Sequence, residues 1–263
     1  MMADRCAPVA VFDSGLGGIS VLRELVRTLP LENYLYYGDS LHAPYGTKTP
    51  EEVVELTMQA ASYLLSQGAK ALVVACNTAT SAAIRHLRKT YPELPIVGTE
   101  PAVKPAVERH PGGRILMLAT AMTVQEEKFQ RLKAQYDDQA QIIPIACSGL
   151  MEYVEQGILR GPEVEGYLLD KLEPYLKVPI DAVVLGCTHY PFLRTAIRRI
   201  VGRRAEIIDG GAGIARQLLR RLEEQGMLNP GPEKGAVIFR SSLDEPEMLE
   251  LMQALFSYED EAI

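Results

Sequence analysis

The sequence predicts an α/β protein made of two similar α/β domains with mainly parallel sheets. Three observations carry this. Short apolar runs alternate with helical patterns along the whole 263-residue chain, the pattern of repeated β–α units. The runs are continuously Val/Ile/Leu-rich rather than alternating, as strands covered on both faces are. Finally, ALVVACNT (71–78) returns as AVVLGCTH (182–189), with Ala71 matching Ala182 and Cys76 matching Cys187 at one offset, 187 − 76 = 111.

Nine runs read as strands: VAVFDS, NYLYYGD, ALVVACN, PIVGTE, GRILMLAT, QIIPIAC, AVVLGCT, AEIIDG and AVIFRSS. Helices with readable ends lie between them. TPEEVVELTMQAASYLLSQG opens on Thr49 as N-cap, Pro50 at the first helical position and Glu52 closing a capping box. Val53, Leu56, Ala60 and Leu64 recur at helical spacing, and Gly68 is placed to end the helix. TVQEEKFQRLKAQY repeats the device with Thr123 and Glu126. The proline-bearing stretch at 99–113 and IIDGGAG (207–213) mark boundaries, so the expected domains are 1–98 with 209–263, and 99–208. The return of the last segment to the first domain rests on length balance.

Hydrophobic residues make up 47% of the chain, and net charge is 27 − 34 = −7. A mildly acidic protein has no general attraction for nucleic acid or an anionic membrane, so neither is an expected partner. The basic run RTAIRRIVGRR (194–204) reads as the polar face and end of an amphipathic helix. The N-terminal stretch lacks the apolar core and cleavage site of a secretory signal, and no run approaches the roughly 18 apolar residues of a membrane span. The expected location is the cytoplasm, where thiols stay reduced. Cys6, Cys76, Cys147 and Cys187 form no C-x-x-C pair, so no metal site is expected.

In open parallel sheets ligands sit beyond the carboxyl ends of the strands. The residues there are Asp13 and Ser14, Asp39, Cys76 with Asn77 and Thr78, Thr120, Cys147 with Ser148, and Cys187 with Thr188 and His189. One cysteine at a strand end is usually a small buried hydrophobe. Two at matching ends of two look-alike halves suit chemistry that needs paired groups on opposite sides of one atom. Inversion of a stereocentre is that chemistry: a thiolate removes a proton from one face and a thiol returns one to the other. Asn77, Thr78 and Thr188 offer hydrogen bonds, and helix N-termini after each cysteine favour a carboxylate. His189 is placed to serve one thiol and Asp13 the other, although Asp13 also suits bracing the glycine turn that follows it.

That turn, VFDSGLGGISVLREL, resembles the opening of a dinucleotide-binding unit, with Asp39 at 39 − 18 = 21 residues beyond Gly18. Ser20 stands where the third glycine would be needed, and Asp13 would set a negative charge near a pyrophosphate. Glycines 15, 17 and 18 are instead expected to let the backbone approach a small anionic ligand.

DSGLGG, PYG (44–46), ACNTAT (75–80) and LGCTHYPFL (185–193) together, and in this order, resemble bacterial glutamate racemase, within the aspartate/glutamate racemase superfamily. The resemblance runs from about residue 9 to residue 213. It implies cofactor-independent interconversion of L- and D-glutamate, with the product supplied to peptidoglycan, a site in the cleft between two α/β domains, and commonly a homodimer. It makes Cys76 and Cys187 the proton donor and acceptor, with Asp13 and His189 as their helpers. Asp13, Ser14, Tyr45, Gly46, Asn77, Thr78, Thr120, Thr188 and His189 would surround the substrate, and Glu152 in GLMEYVEQG falls in a stretch like one lining the family's cleft. The loop SLHA (40–43) matches no family pattern. An aspartate racemase-like enzyme, a non-catalytic amino-acid-binding protein of the same fold, and a single-cysteine hydrolase or transferase are the alternatives.

Overall fold

A computed structural model describes residues 4–125 and 127–259, and the side chains of these except that of residue 128. All nine expected strands are present: β1 (Val9–Asp13), β2 (Tyr34–Gly38), β3 (Ala71–Val74), β4 (Ile96–Gly98), β5 (Arg114–Ala119), β6 (Gln141–Ala146), β7 (Ala182–Leu185), β8 (Glu206–Ile208) and β9 (Val237–Ser241). They form two sheets, ordered β4-β3-β1-β2-β9 and β6-β5-β7-β8, and every pairing is parallel. One compact unit holds the described residues up to Thr99 with Gly211–Ser257, and the other holds those of Glu100–Gly210 with Tyr258 and Glu259.

Read from the same side, the first four strands of one sheet run β4-β3-β1-β2 and those of the other β8-β7-β5-β6. Each strand of the second sheet is its counterpart in the first shifted by four. In each, the chain steps from the founding strand to one side and then crosses to the other. Strand order therefore reverses between β1 and β3, and between β5 and β7, the topological switch point where such sheets bind ligands. Ala71 and Ala182 open β3 and β7, so the sequence echo is an echo in three dimensions.

Val9–Phe12, Ala71–Val74 and Ala182–Val184 are almost wholly buried, each large aliphatic among them stabilising the fold by about 1.5–3 kcal/mol. Continuous apolar runs were needed because helices cover both faces. Helix Pro50–Ser66 carries the full capping box: Thr49 Oγ1 accepts from the Glu52 N–H (3.3 Å), and Glu52 Oε2 accepts from the Thr49 N–H (2.8 Å). Gly68 follows its end at φ +84°, a left-handed geometry that glycine adopts without strain.

The second expected capping box fails. β5 ends at Ala119, and the chain turns into a helix, Ala121–Gln125, after a single residue. Thr120 is thus the cap, accepting from the Thr123 N–H (3.2 Å), while Thr123 lies inside the helix; Glu126 is outside the described residues. The basic run behaves as an ordinary helix, Arg194–Val201. Arg194 donates to the Ile207 carbonyl (2.7 Å) and pairs with Asp209, Arg198 donates to the Gly202 carbonyl (3.0 Å), and Arg199 meets Glu165 at 2.6 Å. Among the described residues no helix is long and apolar enough to cross a membrane.

Candidate active site

At the first switch point the β-ladder continues one residue past β3, where the Ala75 N–H donates to the Phe12 carbonyl (2.8 Å). The next residue, Cys76, is the N-cap of helix Asn77–Thr90, and only 6% of it is exposed. Its Sγ accepts from the Ala79 N–H (3.4 Å) and lies 3.4 Å from Ser14 Oγ. A sulfur at a helix N-terminus sits in the positive end of the helix dipole, where the anionic form is favoured.

Packing explains the small residues here. A Cβ on Gly18 would lie 2.6 Å from Asp13 Cβ and 3.1 Å from Ala75 Cβ, so that glycine is fixed by the protein's own close approach rather than by a ligand. Asp13 is wholly buried, and its Oδ1 accepts from the Gly15 N–H (3.0 Å), bracing the turn. Tyr36 hydroxyl donates to the Gly15 carbonyl (2.7 Å).

Asn77 Oδ1 is buried and accepts no hydrogen bond from the described residues. Leaving a buried acceptor unsatisfied costs about 1–3 kcal/mol, so this oxygen is available to a donor. Thr78 is buried beside it. Thr80, by contrast, is consumed by the fold, donating to the Val74 carbonyl (3.0 Å) and accepting from the Thr99 N–H (3.1 Å). Tyr45 begins a short turn, Tyr45–Thr47, and its hydroxyl donates to Asp39 Oδ2 (2.6 Å). Burial first, and the Asp39 carboxylate second, hold this phenol well above the ordinary tyrosine range, so it remains a donor. A Cβ on Gly46 would meet nothing within 4 Å, so the space over this glycine is open.

The second switch point repeats the plan. The Gly186 N–H donates to the Leu118 carbonyl (2.7 Å), as Ala75 does to Phe12. A Cβ on Gly186 would run into Met117 Cε and come within 3.0 Å of the Leu118 oxygen, which explains the glycine. Cys187, 8% exposed, follows, with its Sγ 3.6 Å from His189 Nδ1. The other ring nitrogen, Nε2, is 2.6 Å from Glu155 Oε1. Burial of His189 opposes the charged ring, but its hydrogen bonds to Cys187 and to Glu155, with their charges, outweigh it. The imidazole therefore sits well above the usual histidine range. Thr188 is buried between the two, and Thr120 caps its helix just past β5.

Glu155 was not anticipated. It lies one helical turn beyond Glu152 on helix Leu150–Glu155, and the structure turns Glu155 onto His189 while Glu152 is exposed. Cys147 takes no comparable part: burial, slightly offset by Lys171 and reinforced by Cys187, pushes its thiol up to about 12, and it rests against the Ile145 carbonyl (3.6 Å). Among the described residues no three His, Cys, Asp or Glu side chains converge as a metal site.

Within the first unit, then, Asp13, Ser14, Tyr45, Gly46, Cys76, Asn77 and Thr78 lie at the carboxyl ends of β1–β3; within the second, Thr120, Cys187, Thr188 and His189 lie at those of β5 and β7. A family model described as Asp/Glu/Hydantoin racemase matches residues 13–218. The chain belongs to that family. It is 49% identical over 249 residues to the glutamate racemase of Clostridium perfringens (strain ATCC 13124), covering 95% of this chain and 96% of that one. It superposes on Escherichia coli glutamate racemase in complex with L-glutamate and the activator UDP-MurNAc-ala with TM-score 0.84, at 31% identity and 95% coverage of both chains. Against the Thermus thermophilus glutamate racemase in complex with β-chloro-D-alanine the TM-score is 0.79, at 34% identity over 98% of this chain and 96% of that one. These relatives bear out the resemblance to bacterial glutamate racemases read from the sequence. The chain is a racemase, hence an isomerase acting on a small molecule.

Proposed function

We propose that this racemase interconverts L- and D-glutamate without a cofactor, using Cys76 and Cys187 as the two proton-transfer groups, and so supplies D-glutamate for peptidoglycan. The observation that carries the reading is the matched placement of the thiols. Each stands two residues past the equivalent strand of its own unit, mostly buried, with a hydrogen-bonding partner on its sulfur. Binding an amino acid requires no such pair; exchanging a proton on opposite faces of one carbon does.

In this mechanism one thiol, as thiolate, removes the α-proton while the other, protonated, delivers a proton to the opposite face, and the reverse reaction exchanges the roles. Their surroundings differ. Cys76 has the Ala79 N–H and Ser14 on its sulfur, so helix-end amides stabilise its anionic form. Cys187 has the His189–Glu155 pair, in which an imidazolium balances the thiolate and Glu155 fixes the ring orientation. Asn77 Oδ1 accepts from the substrate ammonium, satisfying the buried oxygen, and Gly46 leaves room for the substrate against the Tyr45 turn. Ser14, Thr78, Thr120 and Thr188 supply the remaining hydrogen bonds, and Asp13 holds the turn beneath Cys76. Glutamate, rather than aspartate, is supported by the glutamate racemases of Clostridium perfringens, 49% identical, and Escherichia coli, 31% identical. The protein is read as a cytoplasmic homodimer that needs neither nucleic acid nor membrane.

The test is ¹H NMR of the purified protein with L-glutamate in D₂O, backed by chiral analysis. Loss of the α-proton signal with D-glutamate appearing is expected, and aspartate should stay unchanged under the same conditions. Turnover of aspartate in place of glutamate would overturn the substrate, and exchange without inversion would overturn the pairing of the thiols.

A further inference from the structure

The Ser40–His42 turn lies outside the racemase motifs, yet it reaches them through one buried carboxylate. Asp39 is the residue just past β2, and its N–H donates to the Asp13 carbonyl (3.0 Å), which fixes it beside the end of β1. It is 4% exposed, and its two oxygens have separate partners: the Tyr45 hydroxyl on Oδ2 (2.6 Å) and His42 Nδ1 on Oδ1 (2.8 Å). An ionised carboxylate only accepts, so the ring N–H is the donor. Beyond Asp39, the Tyr45 ring packs on Phe12 with centroids 6.2 Å apart, and its turn packs on helix Asn77–Thr90, whose cap is Cys76. The Ser40–His42 turn is itself anchored, with the Leu41 N–H donating to Ser242 Oγ (2.9 Å).

We infer that His42 is a positioning residue for substrate binding: by holding the Asp39 carboxylate it keeps the Tyr45–Gly46 turn in its binding geometry at the Cys76 strand end. The inference rests on the reading of Tyr45 and Gly46 as substrate-binding residues. Without His42 one oxygen of Asp39 loses its partner, and the carboxylate that orients the Tyr45 hydroxyl is free to rotate. Apparent affinity then falls by the fraction of time the turn spends in the competent geometry. His42 touches no reacting atom, so the proton-transfer step is spared. Its side chain is 41% exposed, so truncating it opens no buried cavity.

The experiment is steady-state racemisation of glutamate by wild type, His42→Ala and His42→Asn. His42→Ala should raise KM about tenfold, the factor that about 1.4 kcal/mol produces. Its kcat should remain within about threefold of wild type, since the lost interaction is made equally in ground and transition states. The Asn amide N–H can reach the same Asp39 oxygen, so His42→Asn should restore most of the affinity. An unmoved KM in His42→Ala, a fall confined to kcat, or an Asn variant no better than Ala would each overturn the inference while leaving the proposed function standing. A wild-type protein that turns over no glutamate would overturn both.

Discussion

Replacing Glu155 with Gln probes an ion pair that reaches a proposed catalytic thiol. The change keeps shape and hydrogen-bonding capacity but removes the charge 2.6 Å from His189 Nε2. His189 is 2% exposed, so its imidazolium has little water to fall back on. A hydrogen bond to a charged group is worth about 1.5–3 kcal/mol, and that is the expected loss of stability where the ring is charged. The sign with pH follows from the direction of the His189 shift, which is upward. A raised imidazole contributes stability that is complete below its unfolded value of about 6.5 and is lost as pH rises through the folded value. The gap between wild type and Glu155→Gln should therefore be full near pH 6 and shrink as pH rises through the folded value. Urea unfolding at a series of pH values measures it, and groups common to both proteins cancel in the difference. Racemisation should fall as well, because the charged ring beside Cys187 loses the carboxylate that stabilises its charge. A gap that is constant or widens with rising pH would refute the assignment of a charged His189 held by Glu155.

Gly18→Ala forces a Cβ to 2.6 Å from Asp13 Cβ under the Cys76 strand end; a loss of about 1–3 kcal/mol in thermal or urea unfolding is expected, with reduced turnover in the folded protein. Lys70→Met removes one partner of a buried pair, Lys70 Nζ to Glu32 Oε2 at 2.6 Å, and should cost about 3–5 kcal/mol in urea unfolding. Lys70 precedes β3 at the end away from Cys76, so the folded variant should keep a near-normal kcat, which initial-rate assays read directly.

The strands were legible because burial on both faces writes itself as continuous Val/Ile/Leu runs, and the Cys76–Cys187 echo was legible because two sheets of one topology repeat their strand ends. Thr49, Pro50 and Glu52 spelled out a cap whose partners are all within three residues. What failed needed the third dimension. Glu152 and Glu155 sit one turn apart on a six-residue helix, and nothing local says which of them faces His189, 34 residues away. Thr123 carried the same cap signature as Thr49, but the length of β5 left only Thr120 outside the helix. Asp39 looked like a ribose-binding acid by spacing; its partners, Tyr45 and His42, lie in irregular turns with no periodicity to read.

In the proposed mechanism two thiols serve opposite faces of one carbon. The direct test is Cys76→Ser and Cys187→Ser, each incubated in D₂O with pure L-glutamate and, separately, pure D-glutamate, following the α-proton by NMR and the configuration by chiral analysis. The enantiomers have equal energy, so kcat/KM must fall equally in both directions, by about 10²–10⁴-fold for loss of a positioned acid or base. Each variant keeps the thiol that deprotonates one enantiomer, so each should exchange the α-proton of that enantiomer alone, and the two variants should choose opposite ones. Near-wild-type racemisation by either variant, or exchange of the same enantiomer by both, would contradict it.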